Sequence, residues 1–169
     1  DILLIDKKLS TMNEVYPILE LSLNRKKPML MIVDELEGEA LQAVNLNNLR
    51  GILHIVAVQA PTHGENRQRE LEDMEAMVGG QAITGTMASV VEKVTEDVLG
   101  HAERVVVEKN KTTIVGGNSN AEKIKQRVAT IHEEMKEYKS DFTKQVCQSR
   151  LSRLAGGTAV LKVGASTET

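Results

Sequence analysis

The sequence predicts an α/β domain with a β-sheet core flanked by helices and one long antiparallel helix pair near the C-terminus. Three observations predict it. The first third alternates short apolar runs with segments whose apolar residues recur every three to four positions, the periods of strand and helix. Met29–Val33 is a continuous apolar run of strand length, the pattern of a strand covered on both faces. Two consecutive segments of helical period then lead to Gly156-Gly157, where a helix stops.

Ile2–Ile5 is the first strand. Ser10 or Thr11 can accept hydrogen bonds from the free N–H groups of the helix that follows, in which Met12, Val15, Tyr16, Leu19 and Leu23 keep helical spacing. Arg25, Lys26 and Lys27 place cations at its end before Pro28 stops it. After the Met29–Val33 strand and Gly38, a second helix runs from Glu39 to Leu49 with Ala40, Leu41, Val44, Leu46 and Leu49 as its apolar positions. Gly51 suits its exit, and Ile52–Val58 is the third strand. Pro61-Thr62-His63-Gly64 is a turn.

A charged helix follows from about Glu65 to Val78, burying Leu71, Met74, Met77 and Val78, and Gly79-Gly80 ends it. Gln81–Thr84 reads as a short strand, and Gly85–Ser89 fits no single pattern. Val105–Val107 and Thr112–Val115 flank Asn110-Lys111 as a β-hairpin. Ser119 or Asn120 caps a helix to about Lys136, with Ile124, Val128, Ile131 and Met135 on one face. Ser140 or Asp141 starts its partner, whose apolar residues are Phe142, Val146, Leu151 and Leu154. Ala159–Val163 is a final strand.

A chain of 169 residues suits one domain, or one with a scrap of a neighbour. With 2% aromatic residues and no Trp, the core must be aliphatic and Met-rich. A net charge of −3 without a basic stripe argues against nucleic-acid binding. Cys147 is the only cysteine, so there is no internal disulfide and no Cys-pair metal site; a reducing compartment is expected. No apolar run approaches the ~20 residues of a membrane span, and the start lacks a signal-peptide pattern. Both ends read as boundaries within a longer protein.

The search for chemistry finds no firm site. Neither a G-x-G-x-x-G turn nor a G-x-x-x-x-G-K-[ST] loop is present, which disfavours a phosphate-binding enzyme of doubly wound type. His54, His63, His101 and His132 show no metal-ligand spacing. His132 reads as a solvated residue and Cys147 as a structural one. The acidic residues from Glu70 to Glu75 read as a solvated helix face mixed with Arg67 and Arg69.

Several blocks carry a resemblance. Asp6-Lys7-Lys8-Leu9-Ser10 resembles DKKIS, and Glu37-Gly38-Glu39-Ala40-Leu41 matches EGEAL, with Asn47, Arg50 and Gly51 at matching spacing. Val58-Gln59-Ala60-Pro61 resembles VKAP, and Thr112-Thr113-Ile114 resembles TTTI. Leu154–Val160 and Lys162–Ala165 match LAGGVAV and KVGA almost letter for letter. In order and spacing these blocks are similar to the apical domain of the group I chaperonins (the GroEL family).

The resemblance implies an apical domain over residues 1–158 lacking its N-terminal part, and the beginning of an intermediate domain over 159–169. It implies that two helices, Thr11–Arg25 and Glu39–Leu49, form a hydrophobic groove for non-native polypeptides and for the mobile loop of a GroES-type co-chaperonin. Its binding residues would be Tyr16, Leu19, Leu41, Asn45 and Leu46. Amphipathicity alone would place the apolar members of that set in a core. Gly157 matches a hinge glycine and Glu168 a subunit-contact residue. The fragment would not be an enzyme and would hold no cofactor. ATP and Mg would belong to an active site elsewhere in the full-length homo-oligomeric double ring. A bacterial cytoplasmic location is the default, with mitochondrial or plastid homologues similar.

Three departures from the family pattern bear on function. Tyr16 stands where Leu is usual, Asn45 stands where Val is usual, and Thr62-His63 replaces Gly-Phe in the APGFGDRRKAM turn. A diverged paralogue with weakened co-chaperonin use, or one recruited to another adhesive role, is the alternative expectation.

Overall fold

Apolar residues fill both parities of the first two strands, so their sheet needs cover on both faces. The computed structural model describes residues 1–84 and 94–161. In it β1 (Ile2–Leu9), α1 (Met12–Arg25), β2 (Met29–Leu36), α2 (Gly38–Leu49) and β3 (Ile55–Gln59) follow one another, and the strands form a parallel sheet in the order β1-β2-β3. Leu3, Ile5, Met29, Met31, Val33, Ile55 and Ala57 point to one side, where Val15, Ile18 and Leu19 of α1 and Ala40 and Val44 of α2 meet them. Ile2, Leu4, Leu30, Ile32 and Val58 point to the other, against α3 (Gly64–Val78), α4 (Ala121–Glu137) and α5 (Asp141–Gly156). The chain is thus mixed α/β with helices on both faces of the parallel sheet.

A second, antiparallel sheet joins β4 (Ala102–Val107), β5 (Thr112–Gly117) and β6 (Thr158–Leu161) in that order. The expected hairpin is therefore present. The expected domain boundary at 158 falls at the start of β6, whose residues pair with β5. Gln81–Thr84 is not a strand: Ile83 makes a single parallel bridge to Ile5, and Gly100 makes an antiparallel one to Ile2. These two contacts cover the edge of β1 that β2 leaves open. They bring Gly80 against the chain before Gly100. A Cβ on Gly80, at φ 74°, would sit 2.6 Å from the Val98 carbonyl oxygen, so close approach as well as turning requires glycine there.

β3 begins at Ile55, not at Ile52 as expected. The Asn48 side chain brackets Ile55, accepting from its N–H at 2.9 Å and donating to its carbonyl at 2.6 Å. Meanwhile the Ile52 and Leu53 N–H groups donate to the Asn47 carbonyl at the end of α2. Residues 52–54 therefore wrap the helix instead of extending the strand.

The helix pair follows expectation in α4, which Asn120 caps through the N–H groups of Glu122 and Lys123. It departs in α5, where Phe142 is 72% exposed and Val146 is also exposed. The inward residues of α5 are Cys147, Arg150 and Leu154. Arg150 turns the helix, because Asp73 on α3 accepts from its Nε at 2.6 Å and from a terminal nitrogen at 3.1 Å. The same carboxylate accepts from Arg127 of α4 at 2.9 and 2.8 Å. Glu70 takes a two-pronged bond from Arg153 at 2.7 and 3.0 Å, and Glu134 pairs with Arg150 at 3.0 Å. Glu70 and Asp73 are accordingly buried, which corrects the expectation of a solvated acidic face. Burial opposes the Arg150 charge, but Asp73 and Glu134 outweigh it and push its pKa up.

Gly85–Ser89, Lys162, Val163 and Glu168 lie outside the described residues.

Candidate functional site

α1 starts from a reciprocal cap. The Thr11 hydroxyl accepts from the Glu14 N–H at 3.3 Å, and the Glu14 carboxylate accepts from the Thr11 N–H at 3.1 Å. Partial burial opposes the Glu14 charge, but the Lys7 ammonium and the Thr11 and Ser10 donors prevail and hold its pKa at about 2. Two bonds register α2 on this cap. The Met12 N–H donates to the Glu39 carboxylate at 3.3 Å, and the Ala40 N–H donates to the Ser10 carbonyl at 3.2 Å. The far end of α1 closes on Lys26, which takes the left-handed conformation (φ 56°) and donates its N–H to the Ser22 carbonyl.

Packing α1 on the sheet buries Val15, Ile18, Leu19 and Leu21 and leaves Met12, Tyr16 and Leu23 outside. On α2 only Ala40 and Val44 are buried; Leu46 and Leu49 are exposed, as is Ile52 beyond it. Between the helices lies a trough of about 230 Å³, walled by Met12, Tyr16, Leu23 and Ile52 and floored by Leu19 and Leu53, with Glu20 and Asn47 as its polar members. Leu23, Ile52 and Leu53 also border a second compartment of about 250 Å³, which adds Ser22, Lys26, Lys27, Pro28 and His54. The two adjoin along α1 through these three shared residues.

Of the residues expected to bind, Tyr16 stands on the trough wall at 56% exposure and Leu19 forms its floor at 7%. Leu41 is half-buried and packs on the core. Asn45 is half-buried and Leu46 exposed, but α2 lines the trough with Asn47. Gly157 caps α5 at φ 67° with open space around it. Met12, Leu23, Ile52 and Asn47 line the trough as well, outside the set that the resemblance implies. The spacing of Met12, Tyr16 and Leu23 on α1 is a readable stripe, whereas Ile52 reads as part of a strand.

Elsewhere, a buried guanidinium pairs with carboxylates on two of the parallel strands. Arg67 is 4% exposed and pairs with Asp34 and, at 3.7 Å, with Asp6; it also donates to the Thr62 carbonyl at 2.7 Å. His63 Nδ1 lies 3.4 Å from the same guanidinium. Cys147 is buried, and burial pushes its thiol pKa up. A wider cavity of about 650 Å³ is lined by residues of β2, β3 and β4, apolar ones such as Met29, Ile55 and Val105 alternating with Asp1, Lys27, His54, Glu103 and Arg104.

No protein-family model matches the chain. No helix among the described residues is long and apolar enough to cross a membrane.

Proposed function

We propose that the chain is the polypeptide-capturing domain of a chaperonin-type folding machine, holding apolar segments of non-native proteins in the α1–α2 trough. The observation that carries this reading is the exposed apolar rim of Met12, Tyr16, Leu23 and Ile52 around that trough. Contiguous apolar surface of this kind persists where it binds something. The motif resemblance supplies the class of partner.

Capture of this sort is non-directional, since it rests on removing apolar area from water. One Leu- or Phe-sized side chain contributes roughly 1.5–3 kcal/mol when buried, so a single trough binds weakly. Several troughs around a homo-oligomeric ring would add avidity, and a co-chaperonin loop seated in the same groove would displace the captured segment. ATP and Mg would act outside this chain. The competing reading, a doubly wound enzyme, would use the carboxyl ends of the parallel strands, near which Asp34 of β2 is engaged by the buried Arg67 guanidinium.

The test is suppression of aggregation of a chemically unfolded reporter protein, with and without the double substitution Tyr16→Ser/Leu23→Ser. Both side chains are more than half exposed, so the fold should survive and protection should be lost. Equal protection by the variant would refute the reading. The diverged-paralogue alternative is favoured if unfolded protein binds but a co-chaperonin loop peptide fails to compete. Asn45 does not line the trough, so such divergence would act through Tyr16.

A further inference from the structure

We propose that the second compartment of the groove is a carboxylate site, so that the ligand is an extended peptide whose apolar side chain is flanked by an acidic residue. This rests on the reading of the trough given above and specifies what that trough selects. Three features converge at the end of α1. Ser22 borders the compartment and is 2% exposed, and its buried hydroxyl has no hydrogen-bond partner among the described residues. A buried hydroxyl left unpaired costs stability. Lys26 holds a left-handed backbone conformation in which any side chain is strained and glycine is the usual solution. Lys26 and Lys27 enter none of the ion pairs among the described residues, and no acidic side chain lines the compartment.

A carboxylate placed there answers each feature. It accepts from the Ser22 hydroxyl, and its charge is met by Lys26 and Lys27, with His54 also lining the compartment. The two cations also offset the partial negative charge of the helix end, which would otherwise repel an anion. The site is joined to the apolar trough through Leu23, Ile52 and Leu53. That trough, at about 230 Å³, exceeds the roughly 150 Å³ that admits a benzene ring. A single extended segment can therefore seat a large apolar side chain and a neighbouring carboxylate together.

The experiment is fluorescence anisotropy of the 169-residue chain with labelled peptides that share one Leu- and Phe-containing core flanked on both sides by Glu, by Gln or by Lys. The Glu-flanked peptide should bind about tenfold more tightly than the Gln-flanked one at low salt. That preference should collapse near ~0.5 M salt. It should also vanish in Lys26→Gly/Lys27→Gln and weaken in Ser22→Ala, while affinity for the Gln-flanked peptide stays unchanged. Free glutamate at matched ionic strength should not compete, because it lacks the apolar anchor. Equal binding of the Glu- and Gln-flanked peptides, or a preference that survives Lys26→Gly/Lys27→Gln, overturns the carboxylate site and leaves the apolar trough standing. Failure of all three peptides to bind overturns the trough reading and this inference with it.

Discussion

Replacing Asp73 with alanine should remove the anchor that fixes α4 and α5 on α3. In the folded chain this carboxylate accepts four hydrogen bonds, two from Arg127 and two from Arg150. The two arginines are unequally dependent on it. Arg127 is partly exposed and keeps Glu72 at 3.1 Å and the Arg69 carbonyl, so its share of the loss is small. Arg150 is 4% exposed and, among the described residues, keeps the Glu134 contact alone. Removing one partner of such a buried pair costs roughly 3–5 kcal/mol, a large part of the 5–15 kcal/mol that ordinarily separates folded from unfolded. For a domain of this size that corresponds to a fall in Tm of roughly 6–20 °C. With no Trp in the chain, far-UV circular dichroism is the suitable probe of thermal and urea unfolding. The double change Asp73→Leu/Arg150→Met removes both charges and should restore most of the loss, because well-packed apolar replacements of buried ion pairs are often neutral or better. A loss below about 1 kcal/mol for Asp73→Ala, the value of an exposed pair, would refute the reasoning. So would a double variant no more stable than the single one.

Two further outcomes are expected. Glu14 has its folded pKa depressed to about 2 from an ordinary 4.5, so its contribution is complete above pH 4.5 and is lost as pH falls from there toward 2; Glu14→Gln should flatten that part of the stability–pH curve measured by urea midpoints. Gly80→Ala places a methyl 2.6 Å from the Val98 carbonyl oxygen at φ 74°, so combined backbone strain and overpacking should cost roughly 2–5 kcal/mol, read as a lowered Tm, whereas Gly64→Ala, with open space around it, should show only the strain.

The elements that read correctly from the sequence are those whose local pattern agrees with their burial. In α1 the cap, the apolar spacing and the terminal cations all point the same way, and α4 shows the same agreement between Asn120 and the Ile124–Met135 face. The misreadings occur where a partner distant in sequence decides. Arg150 carries no apolar signal of its own; Asp73, 77 positions away, supplies the charge it is buried against, and with Arg150 on the inward face Phe142 and Val146 lie outward. Ile52 and Leu53 carry strand propensity, but hydrogen bonds to Asn47 hold them at the end of α2. In the groove, periodicity alone buries Tyr16 together with Leu19 and the motif resemblance exposes both; the structure separates them, with Leu19 in the core and Tyr16 outside. The Ser22 compartment had no local signature, since a serine in an amphipathic helix ordinarily faces water.

The two single bridges on β1 bear on the order in which the chain acquires its structure. One edge of this strand pairs with β2, which lies close behind it in sequence, while the other is covered by Ile83 and Gly100. Contacts at such separations form late, because the intervening loop must close first. During synthesis, a nascent chain that has emerged only as far as β3 can assemble the parallel sheet but must leave the outer backbone of Ile2–Ile5 unpaired until Ile83 reaches Leu4 and Ile5 and then Gly100 reaches Ile2. An open, apolar strand edge is a template for pairing with another chain, so this interval is where a slowed ribosome or a damaged segment between β3 and Gly100 would turn folding into aggregation.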